Sequence, residues 1–114
     1  MIRNWFIKTE LAHIRRDIRR LERRIYASYE DDNPCLSCDQ AMLKVLRRYL
    51  ARLADLAAQG IDLQGVQHIC QYWLYQVQEQ QQAAQEPCLE LRSEQEYLSD
   101  LIERLREAAE AVPA

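Results

Sequence analysis

The apolar residues of this chain recur at spacings of three and four along every segment long enough to form a helix. Such spacing gathers apolar side chains on one face of an α-helix, whereas a strand would need them at every second position. The chain has only two glycines and three prolines, which leaves little turn chemistry for β-hairpins. The sequence therefore predicts an all-α fold.

Four helical segments are predicted, separated by three short breaks that each contain a proline or a glycine. The segments are residues 4–30, 38–59, 63–85 and 94–111. Polar residues suited to capping a first helical turn stand at the start of each segment. These predicted N-caps are Asn4, Ser37, Asp62 and Ser93.

Short connections make consecutive helices antiparallel neighbours, so the sequence predicts an up-down-up-down four-helix bundle. A chain of 114 residues fits one domain, which we expect to comprise residues 1–114. The narrow apolar seam from Ile7 to Ile25 would also suit a coiled coil between chains. The alternative architecture is therefore a set of helical hairpins completed by dimerisation.

The cellular compartment of the protein is predicted from the absence of targeting and membrane-spanning segments in the sequence. No apolar run approaches the roughly 20 residues of a membrane span, and the first residues resemble no signal peptide. Four cysteines without a secretion signal fit a reducing environment. We therefore expect a cytoplasmic protein without membrane association.

Cys35-x-x-Cys38 is the one chemical motif that the sequence contains. Two intervening residues let both sulfurs reach one tetrahedral metal, and Cys88 is expected at the same end of the bundle. These three thiols are candidate ligands of zinc or an iron–sulfur cluster, although no fourth ligand is evident. A thiol switch at Cys38, near a helix N-terminus, and simple packing of small apolar side chains are the alternatives.

Charge is distributed unevenly along the chain. Residues 1–57 contain 12 basic and 8 acidic side chains, whereas residues 58–114 contain 3 and 10. Within the first segment, four arginines fall opposite the apolar seam, and two more arginines follow on the second segment. These residues are Arg16, Arg19, Arg20 and Arg23, then Arg47 and Arg48. The sequence predicts a basic, solvent-facing ridge.

Aromatic residues exceed what the apolar seams need, and such rings are common at protein interfaces. Tyr26 and Tyr29 stand beside the basic ridge; the others are Trp5, Phe6, Tyr49, Tyr72 and Tyr75. The ridge could pair with the acidic fourth helix of the same chain or of a second copy, or with another protein; it could also bind nucleic-acid phosphates or simply be solvated. An acidic pI of about 5.4 and the lack of a recognition motif disfavour nucleic acid.

The sequence contains no recognisable catalytic constellation, so we expect a binding protein and not an enzyme. The favoured hypothesis is an adaptor, regulator or accessory subunit that binds another protein through the basic and aromatic face. The alternative hypotheses are a metal or thiol sensor built on the three cysteines, and nucleic-acid binding through the arginines of the first helix.

Overall fold

The computed structural model describes residues 2–28 and 32–111, with side chains from Trp5 onward. In this part of the chain there are four α-helices and no strand. They are α1 (Ile2–Ala27), α2 (Leu36–Ala58), α3 (Leu63–Ala83) and α4 (Leu89–Ala111). The predicted all-α class is confirmed.

The helices form two antiparallel hairpins: α1 packs along α2, and α3 packs along α4. The hairpins meet mainly where α2 lies against α4. Glu10 of α1 contacts Arg104 of α4, and Phe6, nearer the start of α1, lines one hollow with Ala108 and Ala111, nearer the end of α4, so these two helices run in opposite directions. The four-helix bundle predicted from the sequence is therefore confirmed, with its core formed inside one chain.

The core is formed by residues of all four helices. The predicted seam of α1 is buried from Ile7 to Leu21, and Ile25 is half-buried at its end. On α2 the most deeply buried residues include Val45 and Tyr49. Leu98, Leu101 and Leu105 are the fully buried residues of α4. None of the described helices has a stretch long and apolar enough to cross a bilayer.

The predicted helix starts were wrong in three of four cases. Backbone of α1 is already helical at Ile2, so Asn4 lies inside the helix. Helix α2 begins at Leu36, where the amide N–H of Cys35 donates to the side chain of Asn33 at 2.9 Å, and Ser37 is not the cap. Helix α4 begins at Leu89, which places Ser93 inside the helix and buries it.

The turn between α2 and α3 matches the prediction. Gly60 adopts a positive φ of 71°, a conformation that costs glycine little and commonly ends a helix. Asp62 then caps α3, since its side chain accepts a hydrogen bond of 2.8 Å from the amide of Gly65. These two residues fix where the second helix ends and the third begins.

Because α2 and α4 lie close together, α1 and α4 are held apart and a groove of about 690 Å³ opens between them. We call this the α1–α4 groove. Its floor is apolar and includes Ile14, Leu21 and Leu46. Charged side chains of α1 and α4 stand along its two sides. The groove borders the basic ridge at Arg20.

Candidate functional site

The outer surface of α1 carries the predicted basic ridge. All four of its arginines are exposed, as their spacing opposite the apolar seam predicted. We call these four residues, Arg16, Arg19, Arg20 and Arg23, the arginine face. The helix that carries them is fixed by the buried Ile14, Ile18 and Leu21 on its other side. The packed helix therefore presents these guanidinium groups to solvent on the side away from the core.

Most of the arginine face has no acidic partner among the residues that the structure describes. Among the described residues, Arg16, Arg19 and Arg23 form no salt bridge, and Arg20 only approaches Asp17 at 3.6 Å on its own helix. Their exposed neighbour Arg15 is also without a salt bridge in this part of the chain. Every described arginine of α2 and α4, in contrast, contacts a carboxylate or an aromatic ring. Unpaired guanidinium groups are therefore concentrated on α1.

The two predicted arginines of α2 have different environments. Arg47 is exposed and pairs with Glu22 of α1 at 3.4 Å, at the edge of the arginine face. Arg48 instead turns towards α4, where it contacts Glu90 at 2.5 Å and Glu94 at 3.1 Å. Burial alone would lower the pKa of Arg48, but the two carboxylates outweigh that effect and raise it. Arg48 therefore joins helices of the bundle and stands apart from the exposed ridge.

The predicted aromatic residues divide into exposed and buried groups. Tyr26, at the end of the arginine face, has 75% of its side chain exposed, whereas Tyr29 lies outside the described residues. Trp5, Tyr72 and Tyr75 are also exposed, and Phe6 is buried. Tyr49 is completely buried, which corrects the prediction that it contributes to an interface. Of the predicted aromatic binding residues that the structure describes, only Tyr26 lies beside the arginines.

A buried polar cluster at the α2–α4 contact was missed by the sequence analysis. The hydroxyl of Tyr49 donates to Glu94 at 2.6 Å, and Arg52 lies 5.1 Å from the centre of the Tyr49 ring. Burial and then the neighbouring Glu94 raise the pKa of Tyr49. Glu94 lies four residues before the core residue Leu98 and therefore on the same face of α4. This spacing is the feature of the sequence that could have identified Glu94 as a core-facing residue. Because α4 was predicted to begin at residue 94, this residue was not recognised as part of the core-facing side of the helix.

A second buried carboxylate joins α1 to α4. Glu10 is only 3% exposed, and both of its oxygens accept hydrogen bonds from Arg104, one of them at 3.0 Å. Tyr97 lies beside this pair, and its buried hydroxyl has no hydrogen-bond partner among the described residues. Burial, followed by the charge of Glu10, raises the pKa of Tyr97. Glu10 and Tyr97 are therefore buried between the helices, whereas Arg104 remains partly exposed.

Two of the predicted metal ligands, Cys38 and Cys88, border different hollows. Cys35, Cys38 and Cys88 are exposed and free; Cys38 borders the α1–α4 groove, whereas Cys88 borders a separate hollow beside α3. Within residues 5–28 and 32–111, no group of three or more His, Cys, Asp or Glu side chains could hold a metal ion. The geometry of the described residues therefore adds no support to the zinc or iron–sulfur hypothesis. The fourth cysteine, Cys70, is buried in the core.

No protein-family model, curated protein sequence or solved structure matches this chain. Functional inference therefore depends on the surface and core features described above.

Proposed function

We propose that this chain is a helical protein-binding module, an adaptor, regulator or accessory subunit that recognises an acidic protein surface through the arginine face. The observation that carries the proposal is that, among the described residues, Arg16, Arg19 and Arg23 form no salt bridge on one helix of a chain whose net charge is −3. Elsewhere in the described residues, arginines contact acidic or aromatic side chains of the same chain. The arginine face is therefore available to bind carboxylates of a partner protein.

Several features support binding to protein. Arginine suits this role because its planar guanidinium binds carboxylates through two parallel hydrogen bonds. An exposed tyrosine at the end of the face, Tyr26, supplies an aromatic ring of the kind enriched at interfaces. Single exposed charge pairs contribute at most about 1 kcal/mol each, so we expect the arginines to determine partner choice and association rate more than affinity.

We propose a role in binding and not in catalysis, and a cytoplasmic location. The free state of all four cysteines in the structure supports a reducing compartment. The polar groups of the core support a structural role, since Glu10 and Glu94 are each engaged by an arginine of another helix. We expect these groups to hold the bundle in register.

The proposal is tested by affinity capture from cells that naturally make the protein, comparing three forms of it. The first is the natural chain, and the second carries Arg16→Glu, Arg19→Glu, Arg20→Glu and Arg23→Glu. The third is a matched control with the same charge change elsewhere: Lys8→Glu, Lys44→Glu, Arg92→Glu and Arg106→Glu. We expect a partner protein captured by the first and third forms and absent with the second.

Two outcomes would contradict this function. Equal capture of every partner by all three forms would show that the arginine face is not the binding surface. Loss of the captured material after nuclease treatment, together with steep release at raised salt, would assign the arginines to nucleic-acid phosphates instead. Helical circular dichroism of all three forms verifies that the bundle is intact.

A further inference from the structure

The first turn of α2 brings two cysteines together. Cys35 immediately precedes the helix, and its carbonyl already accepts the first helical hydrogen bond, from the amide of Asp39 at 2.8 Å. Cys38 lies three residues further along, within the same turn. By the geometry of an α-helix, the two Cα atoms are about 5 Å apart. A disulfide joins Cα atoms that are about 4.4–6.8 Å apart, so the backbone of this turn already has the spacing that a disulfide requires.

Both thiols of this pair are available for reaction. Cys35 and Cys38 are exposed and free, and the side chain of Cys35 forms no capping hydrogen bond. Asn33 holds the backbone of the turn instead. Its side-chain oxygen accepts a hydrogen bond of 2.9 Å from the amide of Cys35, and its side-chain nitrogen donates to Asp39 at 3.2 Å. The start of α2 is therefore held without either sulfur.

The third exposed cysteine, Cys88, is placed less favourably. Helices α2 and α4 are parallel, because each is antiparallel to α1, and the hydrogen bond between Tyr49 and Glu94 relates their levels. Cys35 lies fourteen residues before Tyr49, whereas Cys88 lies only six residues before Glu94. This difference separates Cys35 from Cys88 by roughly 12 Å along the bundle. Since Cys38 and Cys88 also border different hollows, the pair within one turn is favoured.

We propose that Cys35 and Cys38 form a reversible redox site that reacts with low-molecular-weight disulfides such as glutathione disulfide. The sulfur of one cysteine attacks the small disulfide, forms a mixed disulfide with one half of it and releases the other half as a thiol. The second cysteine then attacks the cysteine sulfur of the mixed disulfide, closes the bond between Cys35 and Cys38, and releases the remaining half. The chain loses two protons and two electrons, and one glutathione disulfide is reduced to two glutathione thiols.

This inference goes beyond the proposed function, because the reaction does not involve the arginine face. In a reducing compartment the pair rests as two thiols, and the disulfide forms when the proportion of glutathione disulfide rises. The new bond constrains the first turn of α2 beside the contact of Arg24 with Asp39, at 3.3 Å, which joins α2 to α1. The redox state is therefore recorded where the helices of the first hairpin are connected.

The test uses the full chain with Cys88→Ser, which keeps the pair and the buried Cys70. The folded protein is incubated with glutathione disulfide, quenched with acid at intervals, and measured by intact mass spectrometry. We expect a transient glutathione adduct, followed by a product that is lighter than the reduced chain by two hydrogen atoms. After trypsin digestion, the loss should lie in the peptide of residues 25–44, which contains both cysteines of the pair. Dithiothreitol should restore the original mass.

The matched controls are C35S/C88S and C38S/C88S, each of which keeps one thiol of the pair. Each should retain its glutathione adduct, because no second thiol lies within reach. Adducts that persist on both cysteines of C88S, without the loss of two hydrogen atoms, would overturn the proposal.

Two further measurements test the pairing and its fit to the fold. The single variant C38S keeps Cys35 and Cys88 and should acquire two lasting adducts; an internal disulfide between them would overturn the assignment of the pair. Helical circular dichroism of C88S should be the same before and after oxidation. A loss of helix on oxidation would also overturn the proposal, because the turn would then be incompatible with the bond. None of these results depends on the capture experiment with the arginine face.

Discussion

The hydroxyl of Tyr49 donates a hydrogen bond of 2.6 Å to Glu94 and thereby joins α2 to α4 inside the core. Tyr49 is fully buried, and Glu94 is only 5% exposed. Arg48 contacts the same carboxylate at 3.1 Å, so the charge of Glu94 is compensated where the two hairpins meet. Since apolar side chains alone permit many sliding arrangements, this polar contact helps to specify one register between the hairpins.

The substitution Tyr49→Phe should therefore destabilise the protein. It removes a buried hydrogen bond to a charged acceptor, which corresponds to a loss of about 1.5–3 kcal/mol in the free energy of unfolding. Tyr97→Phe is the matched control, because the Tyr97 hydroxyl is equally buried but has no partner among the described residues. We expect that control to be neutral or stabilising by about 1 kcal/mol in urea unfolding. Equal losses for both variants would contradict this interpretation of the core.

Stability should fall in alkaline solution. Burial is the main cause that raises the pKa values of Tyr49 and Tyr97 above the ordinary value of 10.0, so each phenol is harder to ionise in the folded chain. Their contribution is complete below about pH 10 and is lost as pH rises further, because the unfolded chain then releases these protons first. Between pH 9 and 11, the free energy of unfolding should decline less steeply with pH for Tyr97→Phe than for the natural chain. The two slopes should differ by up to about 1.4 kcal/mol per pH unit. Parallel profiles would contradict the prediction.

The pair formed by Glu10 and Arg104 predicts an asymmetric effect of mutation. Arg104→Ala leaves a carboxylate that is 3% exposed without its cation, which should cost about 3–5 kcal/mol of unfolding free energy. Arg106→Ala, two residues along on an exposed position, should change stability by less than about 0.5 kcal/mol. Adding Glu10→Gln to Arg104→Ala should recover part of the loss, since the uncompensated charge is gone. No recovery would mean that Arg104 acts through packing instead.

Apolar periodicity was sufficient to predict the fold class and the bundle, because each buried seam follows from spacing along one helix. The position of the arginine face was predicted for the same reason: Arg16 and Arg23 lie opposite the seam of Ile14 and Ile18, wherever the other helices pack. Helix starts were predicted poorly, since polar residues resemble caps locally. Ser93 was assigned as a cap from its residue type. Its burial depends on packing between helices and therefore was not visible in the sequence.

Contacts between helices were beyond the sequence analysis for a related reason. Whether Arg48 faces solvent or α4 depends on the close approach of α2 to α4, a property of the assembled bundle. Glu10 and Glu94 were likewise hidden, because an acidic residue on a seam becomes informative only when the arginine that meets it is known. The exposed part of the candidate surface was therefore predictable from the sequence, whereas the residues at contacts between helices were not.

The four cysteines should differ in reactivity towards iodoacetamide. Cys70 is fully buried, and burial raises the pKa of its thiol to about 12, so it remains protonated and shielded in the folded protein. Cys35, Cys38 and Cys88 are exposed and free. Mass spectrometry should show three rapid additions to the folded chain and the fourth only after unfolding. Rapid modification of Cys70 under native conditions would contradict its burial, and a metal that protects Cys35, Cys38 and Cys88 would revive the sensor hypothesis.

The last prediction concerns the turn that ends α2. Gly60 has a φ of 71°, and a Cβ added there would have no heavy atom within 4 Å outside its immediate neighbours. Gly60→Ala should therefore lose about 1 kcal/mol of stability through backbone conformation alone, and Gly60→Asn should lose less, because asparagine tolerates this conformation better. Gly65→Ala has a different cause of strain, since its Cβ would lie 2.7 Å from Cγ2 of Ile61 and 3.1 Å from the capping oxygen of Asp62. Thermal unfolding that ranked Asn below Ala at position 60 would contradict the conformational explanation.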